Sequence, residues 1–416
     1  MCGIYGYYNY QKDFCGHGSM EFMAQKLQHR GPDGTGFFAD TNCGVGNVRL
    51  AIIDPEGGSQ PFYSDDKKVV VVQNGEIFNY KQLRDNLVTA GVRFDTNSDT
   101  EILLRLYEAE GISFLEKLNG MFAIAIYDQR KGKILLARDR IGEKPLYFHN
   151  SSQSFMFASE IKAFPSLVPR EINYSGINAF LRLNYVPAPY TAFKNIYHVM
   201  PGTYVEVTEK GYVETKWWDL KDQRIDYSKD KSEWKDEFNT LLYDATKIRL
   251  VSDVPFGAFL SGGVDSTSVV GIMADYLDHP VKTYSIGFED KRFDESAFAL
   301  QAAQRFNTDH HSEIVEHDIV SEWANFIYHV DQPHGDVSFM PMRKVSELAG
   351  RDVKMALTGD GADELFAGYE KHVPFLSRND IGDLSAEEFT AGYMPYLTLL
   401  DSNQCKGLWR KEFIRL

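Results

Sequence analysis

The chain changes texture once, and that change limits the folds open to it. Up to about residue 215 it is strand-rich. MCGIYGYY, CGVGNVRLAII, KVVVVQNG, MFAIAIYD, KILLARD, PLYFHN and SFMFASE read as short strands, several alternating with period two. SMEFMAQKLQH, KQLRDNLVTAG and DTEILLRLYEAEG read as helices between them. Many strands with few helices predict sheet-on-sheet packing covered by helices. A Pro-containing segment, YVPAPYTAFKNIYHVMPGTY, then leads into KWWDLKDQRIDYSKDKSE, which is charged and aperiodic and reads as a linker over residues 216–230. Beyond it, KDEFNTLLYDATKIRL places Phe238, Leu241, Leu242, Ala245 and Ile248 on one helical face. FGAFLS, VKTYSIGF, HSEIVEH and VKMALTG then alternate as strands with helical STSVVGIMADYL, ESAFALQAAQRFN and Val345–Arg351. That rhythm predicts a parallel sheet wound with helices on both faces, with ligands bound at the carboxyl ends of its strands. The expected organisation is an α/β chain: an α+β first domain over 1–215, the linker, and a doubly wound domain over 231–416.

Bulk properties narrow the functional class. A formal net charge of −15 opposes binding along a nucleic-acid backbone. Runs such as Val69–Val72 are far too short to span a membrane. No charged-then-apolar leader precedes Cys2, and the four cysteines (Cys2, Cys15, Cys43, Cys405) form no CxxC, so reduced thiols and a cytoplasmic location are expected. His310 and His311 lack zinc-site spacing, Cys15, Cys43 and Cys405 read as packing residues, and Trp217 and Trp218 read as anchors closing the first domain.

Chemistry concentrates in a few loops. FLSGGVDSTSVV runs from strand through Ser-Gly-Gly into a helix near Val264. Gly262 and Gly263 permit a tight turn, the helix start offers unpaired N–H groups, and Ser261 and Ser266 add hydroxyls: an anion cradle. It lacks the Gly-Lys-Ser/Thr ending of a Walker loop, and Asp265 within it suits a Mg²⁺ bridging to phosphate. LTGDGADELFAGY is a second strand-to-helix loop, carrying Asp360, Asp363 and Glu364. Alone, each could be a turn or an acidic cap; together at the ends of one sheet they read as two sides of a nucleotide–metal site.

SGGVDS resembles the pyrophosphatase loop of ATP-dependent adenylating amide synthetases, and GDGADE resembles the partner motif of the asparagine synthetase family. The resemblance extends upstream through MCGIYGYY, HRGPDG, RLAIID, NGEIFNY, SDTE, GMFAIAIYD and ARDRIGEKPLYF, which match glutamine amidotransferase domains of the N-terminal-nucleophile kind. It implies an αββα amidotransferase domain followed by an ATP-pyrophosphatase-type domain. It also implies ATP and Mg²⁺ as cofactors, and glutamine plus aspartate or another carboxylate as substrates. By this resemblance Ser261, Gly262, Gly263, Asp265 and Ser266 hold pyrophosphate and Mg²⁺. Thr358 and Gly359 lie near AMP, Asp363 and Asp360 near the metal, and Leu260 and Ile286 (in SIGF) meet the nucleotide. DQPHGDVSFMP, with Asp331, resembles a segment lining the acceptor pocket. Ammonia would travel between the domains through a tunnel.

The family chemistry explains a cysteine at position 2. A thiol of pKa about 8.5 needs a base, and an α-amine of pKa about 7.7–8.0 supplies one. Removal of Met1 places both on Cys2. Asn74 and Gly75 resemble an oxyanion hole, although Asn-Gly alone could be a hairpin turn. Arg49 resembles the partner of the glutamine α-carboxylate, Asp99 the acceptor of its ammonium, and Glu76 and Arg30 supporting residues. A lipid anchor is disfavoured, because myristoylation requires Gly after Met.

Family members continue well beyond the equivalent of Leu416, through a lysine-bearing segment tied to adenylation. The chain is therefore expected to be a fragment, to work with a separate C-terminal polypeptide, or to act as a glutaminase with little synthetase activity. A homodimer is a further expectation. Two other readings stand beside asparagine synthesis: amidation of a sugar acid or peptide carboxylate, and a non-catalytic interaction protein retaining the fold.

Overall fold

The computed structural model describes residues 1–408 apart from 225, 316–318 and the single positions 337 and 379. The end of HSEIVEH and one position of DQPHGDVSFMP thus lie outside the described residues. The chain forms two compact units, Met1–Glu171 with Ala188–Asp236, and Ile172–Pro187 with Glu237–Leu416.

The first unit is built on two antiparallel six-stranded sheets. In chain order the elements are β1 (Gly3–Asn9), α1 (His17–Leu27), β2 (Gly34–Ala39), β3 (Cys43–Arg49), β4 (Phe62–Tyr63), β5 (Val69–Ile77), α2 (Tyr80–Thr89) and α3 (Asp99–Glu110). There follow β6 (Gly120–Asp128), β7 (Lys133–Arg138), β8 (Tyr147–Asn150), β9 (Ser154–Ala158), β10 (Ile196–His198), β11 (Thr203–Thr208) and β12 (Gly211–Lys216). One sheet has the order β10-β8-β9-β1-β3-β2, the other β12-β11-β7-β6-β5-β4. Alternation along the strands sorts the core. Ile4, Tyr8 and Val45 face Val70, Val72, Ala125 and Leu136 between the sheets. Tyr5, Tyr7 and Val48 face Met20, Met23 and Leu27 of α1 on the outer side. The second sheet is covered by α3, packed on β5. Helix, sheet, sheet and helix layers follow, as expected.

One alternative the sequence left open is closed, and the make-up of the first unit departs from its reading. Asn74-Gly75 is no hairpin turn: β5 runs unbroken through Ile77, paired with β6 from Val69–Asp128 to Ile77–Gly120, and α2 begins only at Tyr80. The first unit is also discontinuous. Residues 172–187, placed by sequence within 1–215, carry α4 (Tyr174–Leu183) and pack with the second unit. Asn184 O accepts from Gly335 N (2.9 Å), Arg182 O accepts from Leu399 N (2.7 Å), and α4 packs on the helix Ser402–Leu408. The expected linker also extends: the division falls after Asp236, inside α5 (Lys231–Ile248).

The second unit holds a parallel sheet of β13 (Phe256–Phe259), β14 (Lys282–Phe288), β15 (Asp309–Val315) and β16 (Met355–Leu357), in the order β15-β14-β13-β16. Its connections are α6 (Val264–Tyr276), α7 (Ser296–Phe306), and α8 (Ile319–Val330) with α9 (Phe339–Ala349); α10 (Ala362–Phe366) follows β16. One face buries Val270, Met273, Ala299 and Ala303 of α6 and α7, the other Val345, Leu348 and Ala349 of α9. The strand order reverses between β13 and β16, which opens a crevice at their carboxyl ends. His310 is structural, bonding Thr283 Oγ1 (2.9 Å) and Ser285 Oγ (3.3 Å).

Among the described residues no helix is long and apolar enough to cross a membrane. Phe157 lies fully buried between the sheets, whereas Tyr227 is 86% exposed. Phe157→Ala should cost about 3–5 kcal/mol, and Tyr227→Ala less than about 0.5 kcal/mol, in equilibrium denaturation.

Candidate active site

The first cluster forms around the chain start. β1 begins at Gly3, so Cys2 extends from a strand flanked by β3 and β9. The Cys2 Sγ accepts from Leu50 N (3.3 Å) and faces Leu50 O (3.5 Å). Burial pushes the thiol pKa up. The Leu50 backbone, the chain-start ammonium and Arg49 pull against burial, and Asp99 adds to it. Burial pushes the chain-start amine the other way, down to about 6, with Arg30 and Lys144 contributing and Cys2 and Glu76 opposing. The structure therefore places Arg49, Asp99, Glu76, Arg30 and Lys144 within electrostatic reach of Cys2 or of the chain-start amine.

Strand β5 and the start of α3 supply the acidic and amide groups. Ser98 caps α3 by accepting from Thr100 N (3.2 Å), which fixes Asp99 in the first turn. Asp99 Oδ2 accepts from Ile77 N (3.0 Å) and Gln73 Nε2 (3.2 Å). Burial nevertheless raises Asp99 to about 6, and burial with the Asp99 charge raises Glu76 to about 7. Asn74 is fully buried, and neither its Nδ2 nor its Oδ1 has a partner. A buried amide left unmade costs about 1–3 kcal/mol, so this one calls for a partner, a water or a ligand atom. Gly75 has φ +144°, and a Cβ there would lie 1.9 Å from Met121 O and 2.7 Å from Phe122 Cα, so only glycine fits. Arg49 donates to three carbonyls, Pro55 (3.0 Å), Ile53 (2.9 Å) and Asp54 (2.7 Å), which lock its fork in place.

Sequence reasoning quoted the motif around Lys144 but assigned this residue nothing. It is 7% exposed, its Nζ lies 3.5 Å from Met1 Sδ, and burial lowers its pKa. The loop that carries it is tied down by Asp139, which accepts from Gly142 N (2.6 Å), Glu143 N (2.9 Å) and Lys144 N (3.0 Å). Lysine in a loop is ordinarily a solvated residue, so no local signal distinguishes it.

The second cluster lies within the second unit, at the strand-order reversal. Gly262 takes φ +84°, and its Cα closes on α7, where a Cβ would meet Phe298 C at 2.4 Å. Ser261 Oγ bonds Ser266 Oγ (2.9 Å) and accepts from Gly263 N (3.2 Å). No side chain caps α6 at Gly263, so its first-turn amides stay open to an anion. The loop after β16 lies directly over this turn: a Cβ on Gly359 would sit 2.7 Å from Ser266 N and 3.0 Å from Asp265 Cβ. Thr358 Oγ1 donates to Asp360 Oδ2 (3.0 Å) in the same loop. Ser261, Gly262, Gly263, Asp265, Ser266, Thr358, Gly359 and Asp360 are thus brought together. Leu260 is buried in the sheet core and donates to Tyr284 O (2.9 Å). Ile286 packs toward the α9 side of the sheet. Asp363, on α10, lies against Gly368, where a Cβ would meet its Oδ1 at 2.0 Å. Asp331 donates its amide to Ile327 O (3.1 Å) at the end of α8. Among the described residues no group of three or more His, Cys, Asp or Glu side chains gathers as a metal cage. Asp265 at an open helix start instead suits a cation arriving with phosphate, for which one or two carboxylates suffice.

Comparison with known proteins matches both halves. Residues 1–218 fit the family described as glutamine amidotransferase domain, and residues 237–412 that described as asparagine synthase. A Methanocaldococcus jannaschii protein, provisionally named asparagine synthetase (glutamine-hydrolyzing) 2, is 36% identical over 90% of this chain and 76% of its own. Asparagine synthetase (glutamine-hydrolyzing) 1 of Bacillus subtilis is 34% identical over 89% of this chain and 59% of its own. A Penicillium rubens protein named amidase chyE is 32% identical over 84% and 55% respectively. The chain belongs to the glutamine-hydrolysing asparagine synthetase family. It spans less than two thirds of the Bacillus and Penicillium relatives.

Because Gly75 is wedged against β6, Gly75→Ala should destabilise the first unit by about 1–3 kcal/mol, read as a lowered unfolding midpoint.

Proposed function

We propose that the chain hydrolyses glutamine at Cys2 and passes the ammonia to a carboxylate activated with ATP, with aspartate as acceptor and asparagine as product. The observation that carries this reading is the buried, unpartnered amide of Asn74 beside Gly75, on the strand whose Val70 and Val72 pack in one core with Ile4, two residues after Cys2. Excision of Met1 places the free amine on Cys2, in surroundings that already hold a chain-start amine at about 6. At neutral pH that amine is mostly unprotonated and can take the thiol proton. The thiolate attacks the glutamine carboxamide carbon. The oxyanion is held by Asn74 Nδ2 and the Gly75 N–H; ammonia leaves with a proton from the ammonium, and water hydrolyses the glutamyl thioester.

Arg49 pairs with the substrate carboxylate. Asp99 and Glu76 receive its ammonium, which relieves the burial that raises their pKa values to about 6 and about 7. In the second unit the acceptor carboxylate attacks the ATP α-phosphorus and pyrophosphate departs into the Ser261–Ser266 loop. Ammonia then displaces AMP from the acyl carbon. Asp265 and Asp363 are the residues that would hold Mg²⁺, which neutralises phosphate charge when bound. Leu260, Ile286, Thr358 and Gly359 border the nucleotide in this reading.

The amidase-named relative supports a second reading, amidation of another carboxylate by the same two half-reactions. Pyrophosphate release by this chain, screened over candidate carboxylates, separates them: dependence on aspartate supports asparagine synthesis, and dependence on another acid replaces it. Cys2→Ala should abolish glutaminase activity, and retained activity would remove Cys2 as nucleophile. Lys144 carries positive charge toward the amine, so Lys144→Met should let the amine hold its proton more firmly. The acid limb of the glutaminase kcat/KM profile should then move to higher pH.

A further inference from the structure

We propose that Glu160 is a positioning residue for the nucleophile, acting through Arg30 on the Cys2 backbone. The inference rests on the reading of Cys2 as nucleophile. A residue at the end of a chain frays unless it is tied down, and attack requires the reacting atoms to be held to about 3–3.5 Å. The tie is built by the segment that follows β9. Antiparallel pairing of β1 with β9 reaches Tyr5–Ala158. Ser159 extends it: Ser159 N donates to Ile4 O (2.9 Å), and Ile4 N donates to Ser159 Oγ (2.9 Å). The next residue is Glu160, 6% exposed.

Here side chains replace backbone pairing. Glu160 Oε1 accepts from Arg30 Nη1 (2.8 Å), and Arg30 Nε donates to Cys2 O (2.8 Å). The Arg30 stem passes over Gly3, where a Cβ would approach its Cδ to 3.2 Å. His29 Nε2, 3.0 Å from Oε2, and Lys162 Nζ also contact the carboxylate. The His29 bond, the Arg30 charge and Lys162 outweigh burial and hold Glu160 at about 2, so it is ionised throughout the working pH range. A planar guanidinium can bridge carboxylate and carbonyl only if its orientation is set at one end, and Glu160 sets it. No bond runs from Glu160 to Cys2 itself, so its effect on Cys2 passes through Arg30.

The test is a double-mutant cycle on glutaminase kcat with Glu160→Gln, Arg30→Met and the pair, in the full chain. Glu160→Gln should lower kcat about 10- to 100-fold, with KM for glutamine changed less than about twofold. In the Arg30→Met background it should add nothing further. Glu160→Asp keeps the charge but is one methylene shorter. It should fold even if Glu160→Gln is lost to instability, and still lower kcat. Additive losses, or a wild-type kcat in Glu160→Gln or Glu160→Asp, would overturn the proposal. Retained glutaminase in Cys2→Ala would instead overturn the reading beneath it.

Discussion

Everything in the first unit depends on burying the first strand on both of its faces and pairing it on both of its edges. β1 lies between β3 and β9, with the inter-sheet core on one side and α1 on the other. The consequence for chemistry is that residue 2 inherits the rigidity of a central strand while sitting at a terminus. The same burial that fixes Cys2 also raises its thiol pKa and lowers that of the neighbouring amine. One physical cause thus disfavours charge on both groups, leaving the thiol protonated and the amine unprotonated at neutral pH.

The second unit reaches a comparable result by topology. Reversal of strand order between β13 and β16 brings two loops, far apart in sequence, into contact at Gly359 and the first turn of α6. An uncapped helix start and paired serine hydroxyls meet there, in a loop without a Walker lysine.

Much of this was legible in the sequence, for physical reasons. Strands buried on both faces, such as Val69–Val72, and the β-α-β-α rhythm are local signals. Loop motifs such as SGGVDS are local as well, because glycine conformation and helix starts are set by neighbours in sequence. Asn74-Gly75 was ambiguous because the dipeptide also suits a turn; the unbroken pairing with β6 decides it. The packing of residues 172–187 with the second unit was not legible, because their partners, Gly335 and Leu399, lie far along the chain. Ser159, Glu160 and Lys144 went unassigned for the same reason, since a carboxylate or ammonium shows its partners only after folding.

The unpartnered Asn74 amide has a thermodynamic corollary. Desolvation of that group is completed during folding, before any ligand arrives. A buried amide left without a partner costs the folded state about 1–3 kcal/mol. A molecule that brings a carbonyl oxygen to Asn74 removes that handicap along with making its own contacts. Thermal shift is thus a sensitive gauge of occupancy here, and compounds can be ranked by melting temperature without turnover.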